Sequence, residues 1–231
     1  MNSEPHRRAV LFDVDGVLLD SVAAHHAVWR RWAGERGLDP AAVAAASNGR
    51  RPEDTVRLVA PALDPATERK ALDELTRRSR AVVREFAGAA ELLGSLPPDR
   101  WAIVTSGSAW YVRRAFRRRR LPLPSVQVYG EDVANSKPAP DGYLLACQRL
   151  GARPGDCLVL EDSAAGVQAG KAAGCLVLAV TGVPPAGPLA RADVWAPGLP
   201  AATPAIRAWL AVRPGGVRYE QQRRIRLDAA P

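Results

Sequence analysis

Four carboxylates, a group of small hydroxyls and one lysine stand where short apolar runs of this 231-residue chain give way to polar residues. The first run, Ala9–Val10–Leu11–Phe12, leads into Asp13, Val14, Asp15 and Gly16. A second, from Trp101, closes on Thr105, Ser106, Gly107 and Ser108, and a later one, from Cys157, closes on Glu161, Asp162 and Ser163. Lys137 lies in a turn, Ser136–Lys137–Pro138–Ala139–Pro140, just ahead of a predicted helix. It is one of only three lysines, with Lys70 and Lys171, among 32 basic residues, so its position beside these acids stands out. Carboxylates gathered at one place repel one another unless a cation sits between them. Oxygen-only ligands favour Mg²⁺, whose usual companion is phosphate, and Asp13, Asp15, Glu161 and Asp162 are the expected metal ligands. Thr105, Ser106 and Gly107, opening a helix, offer hydroxyls and backbone N–H groups to an anion. A calcium loop is excluded, because Gly16 is fourth rather than sixth from Asp13 and hydrophobic residues follow it.

These residues need a scaffold that brings them to one edge. Apolar runs recur at Val126–Tyr129 and Leu176–Val180, alternating with helical segments at Ser108–Arg120, Asp141–Leu150 and Ser163–Ala173. That alternation predicts an α/β fold, a Rossmann-like parallel sheet with helices on both faces. In such sheets ligands lie beyond the carboxyl ends of the strands, where the acids and the lysine fall. Leu19 to Ala87 breaks the pattern with amphipathic stretches at Ser21–Arg36, Glu53–Val59 and Ala66–Arg84 and with no evident strand. The expected organisation is a core of residues 1–18 and 88–212, a helical insert at 19–87, and an arginine-rich, flexible tail at 213–231.

Composition narrows the function classes. With 47% hydrophobic and 24% charged residues the chain is globular, and the expected compartment is the cytoplasm. No stretch approaches the ~18 consecutive apolar residues of a membrane helix. Cys147, Cys157 and Cys175 lie apart in apolar surroundings without zinc spacing, and are expected as buried thiols. The net charge of +8 raises nucleic acid as a partner. However, the excess sits in Arg113–Arg120, with six arginines and no acid, and in the tail; the rest is nearly neutral. Without interleaved aromatic residues, a nucleic-acid-binding protein on a non-catalytic fold is the weakest reading.

The segments FDVDGVLLDS, VTSGS, SKPAPDGY and LVLEDSAAGVQAGKAAG, in that order across roughly residues 8 to 200, resemble the haloacid dehalogenase superfamily of aspartate-nucleophile phosphohydrolases. The insert resembles the small helical cap of the group that holds sugar phosphatases, glycerol-phosphate phosphatases and β-phosphoglucomutase, and NGRRPEDTV resembles the cap loop of its phosphatase side. The resemblance implies Asp13 as nucleophile and Asp15 as acid and base, with the Asp15 backbone carbonyl as a Mg²⁺ ligand. It also implies Thr105, Ser106, Gly107 and Lys137 as phosphate-holding groups, and Asp162, with Glu161 behind it, as metal ligands. An aspartate at position 15 points to ester cleavage, since only an alkoxide leaving group needs the proton. The implied substrate is a small phosphorylated sugar or polyol, with His25, Arg50 and Arg51 of the cap expected near it. His25 and Trp29 match a His and Trp of the β-phosphoglucomutase group, so a phosphosugar mutase is the alternative. Against it, SGSAWYV lacks the Lys-Asn character of the mutase second motif. Two departures stand out: Ala87 replaces a common Pro, and Arg117–Arg120 replaces a glycine-ended helix close.

Overall fold

The computed structural model describes residues 7–212, so the tail expected at 213–231 lies outside the described residues. Six short strands form one parallel sheet: β1 (Ala9–Phe12), β4 (Trp101–Val104), β5 (Val126–Val128), β6 (Cys157–Glu161), β7 (Leu176–Val180) and β8 (Val194–Ala196). Their order is β5-β4-β1-β6-β7-β8, which places β1 between β4 and β6, with Phe12 level with Ile103 on one side and Leu160 on the other. The chain builds outward from β1 in one direction and then returns to β1's other side through β6. That reversal opens a crevice beyond the carboxyl ends of β1 and β6.

Strands buried on both faces read as unbroken apolar runs, and alternate residues then feed two separate cores. Val10 and Phe12 pack with Leu92, Phe116 and Trp209, from α5 (Ala89–Ser95), α6 (Ala109–Arg119) and α9 (Leu199–Ala211). Ala9 and Leu11 pack on the opposite face with Tyr143 and Val167, from α7 (Asp141–Leu150) and α8 (Ala164–Ala172). Cys147, Cys157 and Cys175 are buried, unbridged thiols in this second core.

Four helices fall within the insert, residues 19–87: α1 (Val22–Gly34), α2 (Pro40–Ala46), α3 (Pro52–Val59) and α4 (Pro65–Arg78). They share a small core of their own around Trp29, Trp32, Val43, Val56 and Leu72. Trp32 is fully buried and donates its indole N–H to Glu68 Oε2 at 2.7 Å, and Glu68 also pairs with Arg36. Pro opens α2, α3 and α4, and Asp39 and Asp64 cap the backbone N–H groups of α2 and α4.

Four differences from the sequence expectations have local causes. The insert does contain strands: β2 (Leu19–Asp20) and β3 (Arg84–Glu85) pair antiparallel where the chain leaves and re-enters the core. Two residues per strand are too few to show an alternating pattern. The expected helix to Arg84 stops at Arg78, where Ser79 turns to an extended conformation. The seven-residue α2 is too short to reveal a helical period. Finally, β8 and α9 follow a stretch rich in Pro and Gly, and α9 carries Pro204 inside it.

Candidate active site

Asp13 follows β1 directly, and its backbone N–H continues the sheet ladder to Leu160 O at 3.0 Å. The carboxyl is therefore delivered to the crevice by strand register. Asp15 follows two residues on, its carboxylate accepting from the Ser21 hydroxyl and lying 3.8 Å from His25 Nε2 on α1. Between them and β6, Gly16 adopts φ +90°, and a Cβ there would sit 1.8 Å from Asp162 Oδ2. Glycine at this turn is thus required twice over, by backbone sign and by the close approach of a carboxylate.

Glu161 and Asp162 are neighbours in sequence with different surroundings. Glu161 is 0% exposed. Its Oε1 accepts from Lys137 Nζ and from the Tyr143 hydroxyl, each at 2.6 Å, and its Oε2 accepts from Ser163 Oγ at 3.0 Å. A Cβ on Gly166 would fall 1.8 Å from Glu161 Oε1, so the start of α8 is shaped around this acid. Asp162 instead faces the turn at Gly16. Burial pushes its carboxyl up to about 8, with Glu161 adding to the shift and Lys137 opposing it.

Lys137 ties the two sides of the crevice together. Its ammonium donates to Asp13 Oδ1 at 2.6 Å, to Glu161 Oε1 at 2.6 Å and to Val104 O at 3.2 Å. Burial alone would lower its pKa, but Asp13 and Glu161 outweigh that and hold it above the ordinary lysine value. The Asp13 carboxyl is raised well above the usual range, by burial first, with Lys137 working the other way.

The hydroxyl group after β4 is also ordered. Thr105 N–H donates to Val128 O, and Thr105 Oγ1 accepts from Gly107 N–H at 2.9 Å, which leaves the hydroxyl proton for an anion. Ser106 Oγ donates to Gly49 O of the cap loop at 2.9 Å. Asp13, Asp15, Thr105, Ser106, Gly107 and Asp162 line one cavity of about 570 Å³ between core and cap. From the cap, His25, Asn48, Arg50, Arg69 and Asp73 face the same space. Arg50 also donates to Ala46 O at 3.2 Å. Arg51 does not line this cavity; its guanidinium is turned to core backbone carbonyls.

Carboxylate oxygens of Asp13, Glu161 and Asp162 lie within 4.8 Å of one another and could together hold a metal ion. The donor set suits a hard divalent cation: all ligands are oxygen, and one lysine opposes several buried acids whose protonation burial pushes up. Asp13 and Asp162 have oxygens to offer, whereas both Glu161 oxygens are already taken by donors.

Sequence reading leaves several of these groups unassigned. Tyr143 lies six residues beyond Lys137, at a spacing that carries no signal until the turn is folded. Ser21, which orients Asp15, and the Arg69–Asp73 pair, bonded at 3.1 Å one turn apart on α4, are equally ordinary in sequence.

Known proteins support this geometry. The haloacid dehalogenase-like hydrolase family matches residues 7–174. Hexitol phosphatase A of Escherichia coli K12 is 39% identical over 178 residues, spanning 75% of this chain and 82% of that protein. The 2-deoxyglucose-6-phosphate phosphatase 1 of Saccharomyces cerevisiae is 31% identical over 193 residues, 74% of this chain and 78% of its own. A crystal structure of a hydrolase from Pseudomonas syringae shares the fold with a TM-score of 0.72, at 24% identity over 82% of this chain and 93% of that one. With an aspartate following β1 that lines the cavity and a lysine bonded to it, the chain belongs to the haloacid dehalogenase-like hydrolases and is a phosphatase of that type.

Proposed function

We propose that this phosphatase is Mg²⁺-dependent, hydrolyses a small phosphorylated sugar or polyol, and does so by phosphoryl transfer to Asp13. The observation that carries the reading is the buried Asp13–Lys137 contact of 2.6 Å, with Asp13 and Asp15 both lining the cavity. Asp13 attacks phosphorus, the bond from phosphorus to the ester oxygen breaks, and Asp15 gives that oxygen a proton as the alcohol leaves. Asp15, now a carboxylate, takes a proton from a water that attacks the aspartyl-phosphate, releasing phosphate and restoring Asp13. Lys137 and Thr105 hold the phosphoryl oxygens as their charge is redistributed. Asp13, Asp162 and the Asp15 backbone carbonyl would hold Mg²⁺, which supplies charge neutralisation at the phosphoryl oxygens. Glu161, with Tyr143 and Ser163 on its remaining sites, keeps Lys137 aimed at Asp13.

The cavity and the relatives support this substrate class. About 570 Å³ suits a metabolite of hexose-phosphate size. The polar groups Asn48, Arg69 and Asp73 above the acids are suited to hydroxyls, and the curated relatives are named for hexitol and deoxyhexose phosphates. Phosphate release should be measured from a panel of hexitol, hexose, deoxyhexose and glycerol phosphates, with and without Mg²⁺. Hydrolysis of at least one polyol or sugar ester is expected, falling on the order of 10⁴-fold or more in Asp13→Asn. A folded wild-type protein inert on the whole panel with Mg²⁺ would overturn the reading. Isomerisation that requires a bisphosphate activator, with little phosphate release, would favour a mutase instead.

A further inference from the structure

Arg51 and Asp54, at the start of the cap helix α3, grip a core loop that leads directly into Lys137. Arg51 Nη1 donates to Gly130 O at 3.1 Å and to Val133 O at 2.8 Å, and Nη2 donates to Ala134 O at 2.9 Å. Its Nε donates to Asp54 Oδ2 at 2.9 Å, and that same carboxylate accepts from the hydroxyl of Ser136. Five bonds thus converge on two side chains, four of them crossing from cap to core.

The loop is built to receive them. A Cβ on Gly130 would meet Arg51 Cγ at 3.1 Å and Ser106 O at 2.5 Å, so the absence of a side chain lets the arginine stem lie against the loop. Asp132 closes the turn from the other side by accepting from Tyr129 N–H at 2.9 Å. A planar guanidinium suits this task, because its fixed fork can serve several carbonyls at once while an ammonium acts as a point. Next along the loop comes Lys137, whose three donors all point into the floor of the site.

We propose that Arg51 and Asp54 are positioning residues: by clamping residues 130–136 they set Lys137 against Asp13 only when the cap is docked. Cap closure then assembles the phosphoryl-holding side of the site as well as covering it. The proposal rests on the reading of Lys137 as a phosphoryl-holding group. It differs from substrate recognition by Arg51, because a clamp acts on the reaction centre and is blind to the leaving alcohol.

Three variants test this on the full-length protein: Arg51→Ala, Arg51→Lys and Ser136→Ala. Each is assayed on hexitol phosphate and on p-nitrophenyl phosphate, with amide hydrogen exchange of residues 129–137 recorded without substrate. Arg51→Ala should lower kcat on both esters by the same factor, on the order of tenfold to a hundredfold, the scale of a small misplacement of a catalytic group. Exchange across 130–137 should rise with it. Arg51→Lys should recover little of either effect, and Ser136→Ala should move both in the same direction by about threefold, as loss of one hydrogen bond would. A raised KM on hexitol phosphate alone, with kcat and the p-nitrophenyl ester unaffected, would make Arg51 a substrate contact and overturn the clamp. Unchanged exchange at 130–137 in folded Arg51→Ala or Ser136→Ala would overturn it as well. If wild type hydrolyses neither ester, the functional reading fails on its own, while the exchange data still decide whether the clamp exists.

Discussion

The core and the cap both contribute charged groups to the same cavity, but they hold them in opposite ways. In the core, Asp13, Lys137 and Glu161 are buried and joined through the lysine, each delivered by a strand end or by the turn beside one. In the cap, Arg69 bonds Glu53 and Asp73, and His26 bonds Asn48, on helices that share a small core of their own. A buried charge left without its partner is costly, so the core arrangement tolerates one geometry. Part-exposed pairs are worth little, and those of the cap can be exchanged without unfolding it. On the proposed reading, the buried core groups carry the chemistry and the cap groups select the substrate.

The contrast is sharpest at Asp15, a core carboxylate 3.8 Å from His25 of the cap. Asp15→Asn should slow turnover of a sugar ester on the order of 10²- to 10⁴-fold, the range for loss of a general acid–base. With p-nitrophenyl phosphate the leaving group needs no proton, so a burst of p-nitrophenolate equal to the enzyme should precede slow turnover. Rapid-mixing absorbance checks this, and a first turnover slowed as much as the later ones would argue against Asp15 as the proton donor.

Next in size is the linkage between the buried acids and metal. Burial raises Asp162 from 3.8 to about 8 in the metal-free protein. Across that window the folded protein keeps a proton that the unfolded chain has released, so stability should fall as pH rises from about 4 to about 8. Mg²⁺ needs the ionised carboxylate, so it should raise Tm more at about pH 8 than at about pH 5. Scanning calorimetry with and without Mg²⁺ decides this, and equal gains at both pH values would contradict it.

A smaller effect would confirm that the cap is held by its own core. Trp32→Phe removes the donor to buried Glu68 and should cost about 1–2 kcal/mol in denaturant unfolding. It should leave Mg²⁺ affinity unchanged, which titration calorimetry can check. The smallest effect lies at α6. Arg120 has φ +55°, the only positive value outside glycine among the described residues, at the close of the helix. Arg120→Gly should stabilise the protein by about 1 kcal/mol, read as a higher denaturation midpoint with activity unaltered.

These differences also explain what the chain reveals before it is folded. Asp13 and Asp162 are legible because buried parallel strands are short apolar runs that end at the ligand edge, and Lys137 because lysine is rare in this arginine-rich chain. The identities of Glu161 and Asp162 were legible, but their division of labour was not. Neighbouring residues leaving a strand face opposite ways, and only the folded positions of Lys137, Tyr143 and Gly16 show which acid is which. An arginine in a cap loop suggests an anion, which in sequence alone points Arg51 toward substrate. Its partners are backbone carbonyls of residues 130, 133 and 134, which every sequence supplies and none announces. The β2–β3 pair was hidden for another reason: its two halves are brought together by the insert between them.

The central claim is that Asp13 becomes covalently phosphorylated during turnover, and acid-quench labelling tests it most directly. Wild-type protein mixed with Mg²⁺ and a hexitol phosphate bearing radiolabelled phosphate should yield labelled protein within one turnover. The label should be released by hydroxylamine, map to the peptide that holds Asp13, and be absent from Asp13→Asn. Turnover by wild type with no labelled protein at any quench time, or label that persists in Asp13→Asn, would contradict the account.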